Sequence, residues 1–352
     1  MHHGREKSQI LGVSSGLEMS FSLLFAAGTA HAYTVTTVDW FMFKNIDPLV
    51  FPGQYVSHMH SFFGSDAVNV NASTSAELRE GCSTARNPHD FSVYWIPTLF
   101  HVNQSAPANQ THELIVPFRF SAHYEFMNEA EIPFPENFQV IAGNATATAP
   151  EHLTSDNGIT WFCEHGPSDD EKHTAAFPRK TCNTHLQTLL LFPDCTNPET
   201  FETAYSKNPD WYEGYGENRC PHGMYRIPRL RFSIRYDLRE IIPDGWEGEP
   251  PLELACGNSF CSHGDFINGW LPEAAEYMLK DPTKRDYFAI KGPLGEGDSG
   301  TVCEEVAEDR DPLRGTSDWW ESLKMKGNAT NVKTKLKRHY HHHQHGDARR
   351  LL

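Results

Sequence analysis

The sequence predicts a mainly β fold, a β-sandwich or jelly-roll-like single domain with long disulfide-held loops and few short helices. Three observations predict it. Short runs rich in β-branched and aromatic residues recur at 91–101 (FSVYWIPTLFH), 113–120 (ELIVPFRF), 138–142, 159–163 and 185–192 (HLQTLLLF), punctuated by Pro, Gly, Asn and Asp. Residues 229–236 alternate cleanly, with Leu230, Phe232, Ile234 and Tyr236 on one face and Arg229, Arg231, Ser233 and Arg235 on the other. The 25 Gly, 23 Pro and eight Cys suit a loop-rich chain stapled by disulfides.

Helical signals are fewer. Residues 268–281 (NGWLPEAAEYMLKD) place Pro272 near a helix start, with good helix formers after it. Residues 199–206 predict a second short helix. With 39% hydrophobic residues, the 352-residue chain can bury a sizeable core.

The chain divides into three parts. Residues 1–32 read as a signal peptide: Arg5 and Lys7 precede the apolar run 21–27, and Ala30-His31-Ala32 offers the small-residue cleavage pattern. Residues 33–305 read as one continuous domain. Residues 306–352 read as a basic, histidine-rich, disordered tail. Its last 32 residues hold eight Lys/Arg against two Asp/Glu, and its cluster of His339, His341, His342, His343 and His345 will bind divalent metal adventitiously.

All eight cysteines follow the signal, and sequons begin at Asn71, Asn103, Asn109, Asn144 and Asn328. Together these features predict a secreted, disulfide-bonded glycoprotein. Pairing cannot be deduced from spacing, although Cys256 and Cys261 are close enough for a small loop. A net charge of −16 argues against a nucleic-acid partner, which needs a basic face. Without 18 consecutive apolar residues, no membrane span is expected once the signal is removed.

Several constellations could carry chemistry. In Ser57-His58-Met59-His60 the two histidines share a face if the segment is extended. Such a pair can start a zinc or copper site, supply an acid and a base, or simply hydrogen-bond within loops. His185 and Gln187 share a face of an apolar strand. His263-Gly264-Asp265 sets a histidine and a carboxylate about a glycine, where Asp265 could orient an imidazole, ligate a cation or cap a turn. His222 follows Cys220-Pro221 and is a further possible ligand beside His58 and His60. The arginines at 229, 231 and 235 suit forked recognition of carboxylate, sulfate or phosphate, or pairing with the chain's own acids. Trp95 and Trp270 could stack on sugars, as could Tyr94, Trp161 and Trp211. A signal cut after Ala30 would leave His31 as an amino-terminal copper chelator. No nucleophile elbow, His-Glu-x-x-His or phosphate-binding glycine loop is present.

The motifs at 47–53 (DPLVFPG), 57–64 (SHMHSFFG), 94–99 (YWIPTL), 185–187 (HLQ), 192–195 (FPDC), 220–222 (CPH) and 263–270 (HGDFINGW) occur in an order that resembles the secreted fungal domain-of-unknown-function family DUF1996. The resemblance covers about 38–280. It implies a role at the cell wall or on extracellular polysaccharide and assigns no catalytic residues. The expectation is therefore a protein that acts on or binds extracellular polysaccharide or cell-wall polymer through a histidine-lined cleft. That cleft would comprise His58, His60, His185, Gln187, His222, His263 and Asp265. The alternatives are a non-catalytic glycan-binding module and a copper- or zinc-binding extracellular protein.

Overall fold

The computed structural model of the chain describes residues 33–103, 105, 111–165, 174–280, 290–295 and 307–315. The signal reading, including His31, lies outside the described residues, as do the sequons at Asn109 and Asn328 and the histidine-rich tail. In chain order the strands are β1 (Thr34–Thr37), β2 (Trp40–Lys44), β3 (His60–Gly64), β4 (Val93–Pro97), β5 (Leu99–Val102), β6 (His112–Ile115), β7 (Arg119–Glu125) and β8 (Gln139–Gly143). They continue with β9 (Thr160–Cys163), β10 (Leu186–Leu191), β11 (Cys195–Thr196), β12 (Thr203–Ala204), β13 (Tyr225–Arg226), β14 (Arg229–Tyr236), β15 (Leu252–Leu254) and β16 (His263–Ile267). The α-helices are α1 (Ser75–Arg79) and α2 (Pro272–Lys280).

Two five-stranded antiparallel sheets, β1-β7-β14-β10-β9 and β2-β3-β4-β16-β8, pack face to face. The expected alternation in β14 turns Leu230, Phe232, Ile234 and Tyr236 into the core. From the opposite sheet Phe63, Tyr94 and Phe266 point back at them. The Phe63–Phe120, Tyr94–Phe120 and Tyr94–Phe232 ring centroids lie 4.3, 5.5 and 5.8 Å apart. The sheets approach closely at Gly264, where an added Cβ would stand 2.7 Å from Leu190 Cδ2 and 2.8 Å from Phe232 Cε2. Gly264→Ala is therefore expected to cost about 1–3 kcal/mol of stability by overpacking. An unchanged urea midpoint would show that the two sheets can move apart there.

The β3-β4-β16 sheet is buried on both faces. Phe62, Trp95 and Ile267 point away from the sandwich core into a second cluster with Met42, Ile46, Val68, Leu78 and Val93. The covering layer comes from 45–59 and 65–80, including α1, whose Thr74 and Glu77 form a reciprocal capping box. This explains why every residue of β3, β4 and β16 is buried, the polar ones included.

Other expectations were refined by pairing. Residues 91–101 split into β4 and β5, which belong to different sheets. Residues 113–120 break at Pro117, where no backbone donor is available. The helix expected at 199–206 does not form. Asn197 Oδ1 instead accepts from the Glu199 and Thr200 amides, and β12 pairs with β11. The helix at 272–280 starts at Pro272 as its sequence requires.

Disulfides join Cys163–Cys182, Cys195–Cys220 and Cys256–Cys261, the last closing the small loop that its spacing suggested. Cys82 is also disulfide-bonded. Among the described residues no helix is long and apolar enough to cross a membrane. Residues 307–315, within the stretch expected as a tail, lie against the domain through Lys44, Tyr55 and Asp66.

Candidate metal centre

His58, in extended chain just before β3, and His60, its first residue, project to one side as their spacing requires. They meet His263, the first residue of β16, more than 200 residues later. The strands that bring them together are β3 and β16, each paired with β4. The His263 Nε2 lies 3.2 Å from His58 Nε2 and 3.1 Å from His60 Nε2.

The other ring nitrogens settle the tautomers. His60 Nδ1 lies 2.9 Å from the Ile46 carbonyl oxygen, and His263 Nδ1 lies 2.7 Å from that of Cys261. A carbonyl only accepts, so both Nδ1 atoms carry the proton and donate it. Both Nε2 atoms of the neutral rings then present lone pairs. Two lone pairs at 3.1 Å make no hydrogen bond. Charging a ring would supply a donor, but burial disfavours the charge. His58 is pushed down to about 3 by burial and then by His263, and His263 to about 4 by burial. His60, with no solvent contact, lies well below its ordinary value, chiefly because of burial. The result is three neutral imidazoles whose ligand atoms lie within 4.8 Å of one another. His60 and His263 are buried and His58 is half-buried.

Asp265 follows His263 by two residues and lies on the same face of β16. It has no solvent exposure and neither carboxyl oxygen has a hydrogen-bond partner. Burial, and then the nearby Asp47, raise its pKa well above the ordinary carboxylate value. Asp47 itself accepts the Leu49 and Val50 amides. Asp265 therefore orients neither Nδ1 atom of the two buried histidines, since backbone carbonyls do that. Two further buried polar atoms without partners, Ser57 Oγ and Trp95 Nε1, belong to residues adjoining the same site in sequence or register.

The remaining expected site residues do not converge here. His222 is exposed on a turn, so the third histidine of the cluster is His263 in its place. His185 and Gln187 belong to the other sheet, on the face turned away from its core. His185 Nδ1 contacts Glu164 at 2.8 Å and its ring stacks on Phe118, while Gln187 Nε2 donates to Ser233 Oγ at 2.9 Å. The arginine ladder is taken up by the chain's own acids. Arg229 donates to Asp194 and Arg231 to Glu125, and Arg235 pairs with Glu164. Arg231 also reaches His123 Nδ1 at 3.0 Å. Trp95 and Trp270 are 0% exposed and offer no ring face to a sugar. Trp270 Nε1 donates instead to the Tyr124 hydroxyl. The sequons at Asn71 and Asn103 are exposed and that at Asn144 is half-buried.

Fold and site together define an antiparallel, disulfide-bonded β-sandwich with a buried histidine triad that could hold a metal ion. The chain belongs to the DUF1996 family, whose model, described as a domain of unknown function, matches residues 47–270. That span includes all three histidines and Asp265. No curated protein and no solved structure matches the chain significantly.

Proposed function

We propose that this chain is an extracellular metal-dependent protein in which His58, His60 and His263 hold one divalent transition metal, zinc before copper. The supporting observation is the convergence of their Nε2 atoms, two of them fixed as lone pairs by carbonyl-bound Nδ1 protons. Ligands at about 2.0–2.1 Å from a tetrahedral zinc lie about 3.3 Å apart. The observed 3.1 and 3.2 Å separations approach that spacing. Three protein ligands leave a coordination position open, the pattern of catalytic rather than structural zinc. A zinc ion held there would lower the pKa of its bound water to about 7. In this reading Asp265 is the acid–base residue, and the chemistry is hydrolysis or elimination on an extracellular polysaccharide.

Elemental analysis of dialysed full-length chain tests this reading, with His339, His341, His342, His343 and His345 each changed to Gln to remove the competing tail. About one zinc per chain is expected. Copper at the same stoichiometry would change the metal and keep the site. Absence of any stoichiometric metal, with none taken up on titration, would sink the proposal.

A non-catalytic glycan-binding role has one observation in its favour. Trp211 is 80% exposed, and Tyr212 and Tyr225, in the same 207–225 region, are each 47% exposed. Trp211→Ala is expected to abolish retention on an insoluble polysaccharide while changing stability by no more than about 0.5 kcal/mol. Retention that survives the substitution would remove Trp211 from any binding surface.

A further inference from the structure

We infer that residues 307–315 form a strap that positions two of the three metal ligands, so that metal affinity is set in part by a segment outside the family-matched domain. This inference rests on the metal reading above. His58 is supplied by the chain between β2 and β3, where residues 45–59 contain no strand or helix, and His60 follows it directly as the first residue of β3. Such a segment has little local stability of its own and takes its shape from tertiary contacts. His263 lies on a separate strand, opposite Gly143 of β8, with its Nδ1 proton on the carbonyl of Cys261, which closes the Cys256–Cys261 loop.

The strap grips the ligand-bearing segment at both ends and in between. Lys44 Nζ donates to Asp309 Oδ1 and to the Asp311 carbonyl oxygen, each at 2.5 Å. Lys44 is 3% exposed, and a buried ammonium needs such partners. The Tyr55 hydroxyl donates to Asp311 Oδ2 at 2.6 Å, and Arg310 donates to Asp66 at 2.6 Å. The Asn45 amide donates to the Gly315 carbonyl. Gly315 has φ +67°, and a Cβ there would meet Tyr55 Cδ1 at 2.3 Å.

These anchors connect directly to the ligands. Lys44 stands opposite His60 in the β2–β3 register. Asn45 Nδ2 donates to the Ser57 carbonyl at 3.0 Å, next to His58. The following residue, Ile46, supplies the carbonyl that fixes the His60 tautomer. Releasing Asp309 and Asp311 would therefore loosen the chain that aims both Nε2 atoms and leave His263 in place. Linkage makes the effect reciprocal: metal bound to the triad must tighten the strap by the same factor.

The test uses the full chain with the five tail histidines changed to Gln. Zinc affinity is measured by competition with a chromophoric chelator in the parent and in the Asp309→Asn, Asp311→Asn double variant, together with the melting temperature of each without metal. The double variant is expected to bind zinc 10–100-fold more weakly, the range typical of lost outer-shell support. Asp309→Glu, which keeps the charge, is expected to retain most of the affinity. Hydrogen exchange at 307–315 in the parent is expected to slow when zinc is added. Unchanged affinity in a folded double variant would overturn the strap and leave the metal reading standing. A parent that binds no zinc would overturn both. If the double variant does not fold, the exchange measurement decides: zinc-dependent protection supports the strap, and its absence overturns it.

Discussion

His60→Ala is expected to empty the metal site. The ring is fully buried and supplies one of the three converging Nε2 atoms, and alanine offers no ligand atom in its place. Its removal also leaves the Ile46 carbonyl without its donor, at a cost of about 1–3 kcal/mol. Two ligands would remain, one of them on the loosened chain. The affinity loss should exceed the 10–100-fold that outer-shell partners alone are worth. Metal content of the dialysed variant should fall from about one per chain to near zero, with far-ultraviolet circular dichroism retained. His185→Ala is the matched control. Its ring lies in the other sheet against Glu164 and Phe118, and its removal should leave metal content unchanged. A His60→Ala protein that keeps its metal would place the ion elsewhere.

Acid should destabilise the metal-free protein well above the pH at which carboxylates usually titrate. His58 and His263 titrate at about 3 and about 4 in the folded chain, and His60 lies well below its ordinary value. His123 is lowered to about 3 by burial and by Arg231, Arg235 and Arg119. These four rings stay neutral in the fold, while in the unfolded chain they take up protons below about pH 6.5. The unfolded state then binds more protons, so stability falls as pH falls through this window.

Carboxyls raised by burial oppose the trend. Asp90 is raised to about 6 and Asp265 well above its ordinary value, both chiefly by burial. They stay protonated in the fold while the unfolded chain ionises them above about pH 3.9, so they favour folding at lower pH. His89 joins the lowered rings and Asp47 the raised carboxyls, so the rings held neutral outnumber the opposing carboxyls and stability falls as pH falls from about 6.5 towards 4. Urea midpoints at pH 6.5 and pH 4.5, measured without metal, check this. Equal midpoints would show that the triad is not held neutral by burial. Zinc at a hundredfold excess over its dissociation constant should add about 2.7 kcal/mol to the stability measured at pH 6.5.

Much of the sandwich was legible because alternation is a local property. Arg229 to Tyr236 displays its two faces in the order of its residues, and the structure buries the apolar one. Pro272 and the helix formers after it mark α2, and five-residue spacing marks the Cys256–Cys261 loop. The pair at His58 and His60 was legible for the same reason, since extended chain puts alternate residues on one side.

The third ligand was not legible. Nothing in the spacing separates His263 from His222, because the choice depends on β16 pairing with β4 and β4 with β3. The carboxylates on the arginine ladder likewise come from distant positions, at Glu125, Glu164 and Asp194. The strap left no local signal either: an acidic stretch at 307–311 reads as solvated chain until Lys44 is found buried beneath it.

By itself, the sequence determined the mainly β class, the two faces of β14, the helix that starts at Pro272, the His-x-His face and the family. Only the tertiary structure decided what covers each face. Period-2 patterning tells which side chains point the same way, but burial depends on the layer that lies over them. Residues 45–59 and 65–80 cover the outer face of β3, β4 and β16, which turns Trp95 into core and leaves three imidazoles together, with Asp265 buried on the same face of β16, in low dielectric.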